Sequence, residues 1–373
     1  MIHLNPKNLT MHGLTGYSLV RKLFLSFAVA ALTSSASLAQ EDTVNASHTV
    51  WQGSIANDPK VKRFVHKMVQ THGFSERRLL ALFEGVEANH EVLHLIRPKN
   101  RAENQPSWQQ YRQRFLVWRR IDQGKRFWRR YATTLKAASA RYGVPAEIIV
   151  AIIGVETAYG RITGRFGVLE SLATLAFYYP RRSPFFTSEL ENFLLLCREN
   201  QMSPNEVKGS FAGAMGIPQF MPSSQRRHAV DFDDDGKIDL RYSPTDAIGS
   251  VASFLVNHGW KPGEAVALRT ETGQNTDVQL KRLTDAGNKP SWSMKQLAQV
   301  GVHPAPSASV GDDLNTGNIL PSMASLMAFP TPDEATQYWL GFENFYVLTR
   351  YNRANFYALA TFQLAERLAM EMK

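Results

Sequence analysis

"IIVAIIGVETAYG", residues 148–160, is the stretch on which every other reading of this chain depends. Before its glutamate it is almost wholly aliphatic, which predicts a helix buried on most sides, with Pro145 as its first residue and Gly160 closing it. A glutamate seldom sits in such a segment without a partner or a purpose. Counting back from Glu156, Ile153, Ile152 and Ile149 lie three, four and seven residues away, on one helical face. That face is apolar and ends in a carboxyl. Desolvation disfavours the charged form, so the pKa of Glu156 is expected to rise, as a general acid near neutrality requires. Thr157 and Tyr159 suit the wall of a cleft. The competing reading is a structural ion pair with Arg161 or Arg165 just downstream.

On either side of this helix the pattern stays helical. From about 55 to 142 the chain is charged and aromatic at helical spacing, as in "ERRLLALFEGVEANHEVLHLI" and "GKRFWRRYATTLKAASARYG", and downstream come "VLESLATLAFYY" and "SELENFLLLCREN". The texture then turns small and glycine-rich in "GSFAGAMGIPQFMPS", residues 209–223. Gly209, Gly213 and Gly216 allow tight bends and close approach to a ligand, while Ser210 and Gln219 offer neutral hydrogen-bonding groups suited to sugar hydroxyls and amides. Close helix packing is the blander explanation of such small residues. "GEAVALRTE" and "TDVQLKRLT" alternate like short strands, and "HPAPSASVGDDLNTGN" is rich in breakers, so about 261 to 340 reads as a small mixed insertion. Helical patterning returns from 341 to 373 in "NRANFYALATFQLAERLAMEM".

A hydrophobic share of 44% with 20% charged residues is ordinary globular composition, so disorder is not the default. Arg21 and Lys22 precede the apolar run "LFLSFAVAAL" and the small-residue stretch "TSSASLAQ", a secretory pattern that sets residues 1–39 apart as a signal peptide cut after Ala39; Met11 is an alternative start. The single cysteine, Cys197, excludes an intrachain disulfide and reads as a core thiol on an apolar helix. No cysteine near the cleavage site offers a lipid acceptor, so a soluble periplasmic protein is expected. The formal charge of +9 falls to +6 without the three cations of the first 39 residues. This mild excess favours polyanions, and export makes nucleic acid the least suited among them.

"DFDDDGKIDLRYSPTD", residues 231–246, sets Asp231, Asp233 and Asp235 at the first, third and fifth positions of a calcium-loop template. Gly236 takes the sixth, the Lys237 carbonyl the seventh and Asp239 the ninth; position twelve is Tyr242, so Asp246 is the candidate that closes an enlarged loop. An acidic turn held by Asx hydrogen bonds is the alternative.

"IIVAIIGVETAYG", "LATLAFYYPRR", "KGSFAGAMGIPQFMPSS", "DAIGSVASFL" and "YNRANFYALA", in this order and spacing, resemble the lytic murein transglycosylase B family of bacterial cell walls over about residues 50 to 365. The resemblance implies a mainly α (α+β) fold: an accessory helical region at 50–142, a lysozyme-like core at 143–260, a small β-containing insertion at 261–340 and a C-terminal segment at 341–373 returning to the core. It implies cleavage of peptidoglycan between N-acetylmuramic acid and N-acetylglucosamine with a 1,6-anhydro product, Glu156 being the lone acid/base. Ser210 and Gln219 then look like substrate-positioning groups, and Asn352 like a contact to the N-acetyl group or to Glu156. Arg181 and Arg182 would face anionic parts of the polymer, and Tyr111 would come from the accessory region. Each has a plainer alternative: a solvated turn for the arginines, core packing for Tyr111, a helix cap for Asn352. No cofactor is needed for the chemistry; structural calcium in the acidic loop is implied, as are peptidoglycan strands as partner, a monomer, and recruitment by cell-wall synthesis or division proteins. Two rivals remain: a hydrolytic muramidase, with Glu170 or Glu189 as second carboxylate, and a non-catalytic peptidoglycan-binding scaffold.

Overall fold

The structure, a computed structural model, describes residues 53–98, 106–273, 277–305, 320–332 and 334–373. The signal expected at 1–39 lies outside them.

The helix predicted around Glu156 spans Ala146–Thr157, and Ile148 through Val155 are all buried. It is packed by the helices Asn355–Met372, Trp118–Arg130, Pro244–Asn257 and Ala132–Tyr142. Surrounded on nearly all sides, it has no need of an amphipathic stripe, which explains its continuous aliphatic run. Ile149, Ile152 and Ile153 each contribute about 2 kcal/mol of burial here. Its ends differ from the expectation: Pro145 stands as N-cap rather than first helical residue, and the helix stops before Gly160 because Ala158 and Tyr159 both turn left-handed, at φ 52° and 65°.

Two further clusters complete the core. The helices Pro59–His72, Glu76–Glu84 and His90–Ile96 share an apolar cluster with Val168–Tyr178 and Ser183–Glu199, in which Cys197 is buried. Trp108 through Ala138, by contrast, pack with the Glu156 helix and with Tyr357–Leu368. The region 50–142 thus divides its packing between two clusters.

β1 (Phe166–Gly167) and β2 (Lys208–Gly209) form a two-stranded antiparallel pair, and the segment after residue 261 forms a second antiparallel sheet of β3 (Ala267–Glu271), β4 (Trp292–Ser293), β5 (His303–Pro304), β6 (Met323–Thr331) and β7 (Glu334–Gly341), in the order β4-β6-β7-β3-β5. Alternation sends Met327, Phe329 and Trp339 into the main core, and Leu326 and Leu340 into a third cluster on the other face. "TDVQLKRLT", expected as a strand, is the helix Asp277–Asp285: Leu280 and Leu283, three residues apart, are its buried pair, while Val278 is exposed. Period three on a short segment wins over an apparent alternation once one face has a sheet to cover.

Candidate active site

Glu156 occupies the last turn of its helix, half-buried, and Tyr357 Oη donates a 2.6 Å hydrogen bond to Glu156 Oε1. Burial pushes the carboxyl up to about 7, against the smaller opposing effect of that hydrogen bond. The carboxyl in turn pushes up the tyrosines around it. Tyr111, Tyr351 and Tyr357 are all raised, first by burial and next by the nearby Glu156 charge. Glu156 therefore faces a wall of three phenols. The ion pair considered from the sequence does not form: Arg165 is bonded to Glu91 and Arg161 is exposed.

The turn after Glu156 is held by Tyr159, whose hydroxyl donates to the Arg120 carbonyl at 3.0 Å, while Arg120 Nη1 donates to the Gly154 carbonyl. A Cβ at Gly154 or Gly124 would lie 2.6 Å or 2.5 Å from Tyr159 Oη, so both glycines make room for the ring. Thr157 Oγ1 donates to the Ile217 carbonyl at 2.8 Å and accepts from Gly160 N at 2.9 Å. The helix end is thereby stitched to the glycine-rich loop.

That loop is ordered by its own backbone. Gly213 and Gly216 take φ 88° and 70°, and Met215 and Phe220 exchange hydrogen bonds of 2.8 and 3.1 Å. Ser210 Oγ accepts from Ala212 N and Ala214 N at 3.3 and 3.0 Å. Gln219, left-handed at φ 53°, spends its amide nitrogen on the Thr163 and Gly216 carbonyls, both at 2.9 Å, which leaves Oε1 as its acceptor for a ligand. Tyr351 Oη donates to the Pro218 carbonyl at 2.6 Å, tying the same loop to the C-terminal segment.

The remaining candidates divide. Tyr111 packs its ring on Phe115 and Phe356, with Arg114 over it. Asn352 makes no hydrogen bond to Glu156; its Oδ1 accepts from Ala354 N at 3.2 Å in the turn before the helix Asn355–Met372. The residue that does bond Glu156 is Tyr357, five residues further on, which the sequence reading missed. Its signal was present as the second tyrosine of "YNRANFYALA", a phenol on a largely apolar helix. Arg181 is exposed, and Arg182 lies over the Phe185 ring at 4.3 Å with burial, Arg353 and Arg181 all pushing its pKa down. Neither carboxylate weighed as a partner is hydrogen-bonded to Glu156. Glu189 accepts from Ser223 N and Oγ at 2.9 and 2.7 Å, and Glu170 sits beside Gly167.

In the acidic loop, carboxylate oxygens of Asp231, Asp233 and Asp246 come within 4.8 Å of one another. Asp246 is buried and accepts from Phe232 N and Asp239 N at 2.9 and 2.8 Å, yet its pKa is raised, by burial first and by Asp233 and Asp231 after the opposing hydrogen bonds. Asp231 likewise accepts from Asp235 N and Gly236 N at 3.2 and 2.8 Å, so Asx hydrogen bonds hold the loop, and three hard oxygen donors gathered this closely also fit a calcium ion. Asp235 stands apart, its Oδ1 taking the Lys237 N–H at 2.8 Å, and Asp239 takes the N–H groups of Arg241 and Tyr242 at 2.9 and 3.1 Å.

Residues 56–366 match the family described as the transglycosylase SLT domain. The chain is 41% identical over 332 residues to the membrane-bound lytic murein transglycosylase B of Escherichia coli strain K12, covering 87% of each chain. Among solved structures it is similar to the soluble lytic transglycosylase SltB1 of Pseudomonas aeruginosa, 43% identical at a TM-score of 0.74 over 84% of this chain and 99% of that one. It is likewise similar to the Escherichia coli lytic transglycosylase Slt35 in complex with calcium, 39% identical at a TM-score of 0.74 over 88% and 98% of the two chains. By the length of the family match and the coverage of these relatives, this chain belongs to the transglycosylase SLT family.

Proposed function

We propose that this protein is a lytic transglycosylase that cleaves the β-1,4 bond between N-acetylmuramic acid and N-acetylglucosamine in peptidoglycan, leaving a 1,6-anhydro end. The observation that carries the reading is Glu156: one carboxyl raised to about 7 by burial, bonded to Tyr357, with no second carboxylate among the described residues influencing it. Hydrolysis by the usual route needs two carboxyl groups. Here one serves twice. Protonated Glu156 gives its proton to the glycosidic oxygen as the bond to the anomeric carbon breaks. The carboxylate so formed takes the proton of the sugar's own C6 hydroxyl as that oxygen attacks the anomeric carbon. The N-acetyl group of the muramic acid shields the developing cation, no water is consumed, and no cofactor enters. Ser210, Gln219, Tyr111 and Asn352 position the sugar, and Arg181 and Arg182 meet carboxylates of the polymer. The units 50–142, 143–260, 261–340 and 341–373 serve as walls and support of one cleft. We place the activity in the periplasm; among the described residues no single helix is long and apolar enough to cross a membrane. The test is mass spectrometry of fragments released from purified peptidoglycan. Products one water lighter than hydrolytic ones support the reading, and reducing-end products would replace it with the muramidase.

Glu156 must start protonated, so turnover should be full below pH of about 7 and fall as pH rises through it. Tyr357 lowers the Glu156 pKa by bonding its charged form. Tyr357→Phe should therefore move the alkaline limb of the kcat/KM profile to higher pH while lowering kcat about tenfold through lost orientation of the carboxyl. An unchanged limb would deny Tyr357 that part.

Asp231, Asp233 and Asp246 would hold calcium, with Asp235 and the Lys237 carbonyl completing the shell, and the ion would tie the loop to the helix Pro244–Asn257. Chelation should lower Tm by about 5 °C, and added calcium should restore it, as expected for a ligand about a hundredfold above its Kd. Asp246→Asn should abolish that response; a melting curve indifferent to chelator in the parent protein would dismiss the ion.

A further inference from the structure

The helix Trp118–Arg130 turns Gly124 and Phe127 inward, with Phe127 5.6 Å from Tyr159 between ring centroids. Its opposite face has no part in the mechanism above, and it is strongly cationic. The helix holds six arginines and lysines against one acid, Asp122, a net +5 in a chain whose whole excess is +9. At about 100° per residue, Trp118, Arg119, Lys125, Arg126, Arg129 and Arg130 project within an arc of about 140°. Arg120 falls outside that arc and is turned in to the Gly154 carbonyl. Two charges of the face are paired, Arg126 with Asp122 at 2.7 Å and Lys125 with Glu371 at 2.9 Å. Among the described residues, Arg119, Arg129 and Arg130 form no ion pair, and all three are exposed. Trp118, 74% exposed, stands at the end of this row with Arg119 over its ring at 6.0 Å.

Leaving an indole that large in water costs hydrophobic free energy that a face of charged side chains alone would not carry. Guanidinium groups take carboxylates in bidentate fashion, and the face of an aromatic ring takes the apolar face of a sugar. Both chemistries occur together on a glycan bearing carboxylated peptide stems. We propose that this face is an exosite for a second strand of peptidoglycan, with Arg119, Arg129 and Arg130 on stem carboxylates and Trp118 stacked on a sugar ring. The proposal rests on the function given above, because only a polymeric substrate offers further strands to a face turned away from the core that holds the Glu156 helix.

The test compares insoluble with soluble substrate. In a Glu156→Gln background, the triple variant Arg119→Gln/Arg129→Gln/Arg130→Gln should co-sediment with purified sacculi about tenfold more weakly near 0.1 M salt, with a flatter salt dependence. Trp118→Ala should weaken binding at all salt concentrations. With Glu156 in place, the triple variant should turn over short soluble muropeptides at the parent rate, and the corresponding triple lysine variant should keep most sacculus binding. Unchanged co-sedimentation of the triple variant would overturn the exosite, as would an equal loss on soluble fragments, which would place the defect in the cleft. Loss of binding to vesicles of anionic phospholipid, with sacculus binding retained, would overturn it in favour of a membrane surface. A parent protein inactive on soluble fragments would instead count against the function itself.

Discussion

Replacing Glu156 by glutamine is expected to reduce turnover by about 10³- to 10⁴-fold while leaving the fold intact, because the amide can neither give nor take the proton that moves twice in the reaction. Among the described residues no other carboxyl bonds Glu156: Glu189 takes both its hydrogen bonds from Ser223, and the groups that bond or sense Glu156 are tyrosines with raised pKa. The same substitution carries an internal control. Burial raises the folded-state pKa of Glu156 to about 7 from an ordinary 4.5, so the folded protein holds a proton that the unfolded chain releases. Stability is therefore lost as pH rises from 4.5 through about 7, by up to about 3 kcal/mol. Glu156→Gln lacks this ionisation. Its Tm should equal that of the parent near pH 4 and exceed it near pH 8. A variant that loses activity and also melts early at every pH would mean that Glu156 serves the fold.

Gly164→Ala should be severely damaging, since its would-be Cβ meets the shortest contact found among the described glycines. Gly164 sits at φ 107°, where L side chains are strained, and a Cβ there would lie 2.0 Å from the Gly209 carbonyl oxygen and 2.6 Å from Ser210 N. Neither neighbour is a side chain that can swing away. The backbone must part where β1 (Phe166–Gly167) pairs with β2 (Lys208–Gly209), at the root of the loop carrying Ser210 and Gln219. We expect a loss of about 3 kcal/mol or more in stability. Where the variant still folds, turnover should fall about a hundredfold, because a shift of about 1 Å in a positioning loop costs that much. Gly236→Ala, at φ 85° with open space around its would-be Cβ, is the comparison. It should cost far less, and equal damage at both sites would mean that φ alone, not the contact with residues 209–210, is responsible.

The Glu156 helix was legible because a continuous aliphatic run ending in one carboxyl has few other uses, and burial of Ile149, Ile152 and Ile153 follows from that unbroken run. The glycine-rich loop was legible for a similar reason, since left-handed backbone at Gly213 and Gly216 leaves its mark in residue type. Short segments were less so: "TDVQLKRLT" satisfies both periods, and only the sheet beneath Leu280 and Leu283 selects the helix. Asp231 and Asp233 follow from the loop template, whereas the fold alone brings Asp246 to them and sets one oxygen of Asp235 on the Lys237 N–H. Tyr357 lies 201 residues from Glu156, and no local rule connects them. The same holds for the unpaired arginines of Trp118–Arg130, whose face is set by which side of the helix meets Tyr159. The sequence by itself thus determined the local facts: one helix, one carboxyl, one bent loop and an acidic cluster, each written in neighbouring residues through period, backbone freedom or charge. Only the tertiary structure decided which distant groups touch that carboxyl and which charges go unpaired, because such contacts depend on how separate elements pack, and packing is not encoded at any single spacing.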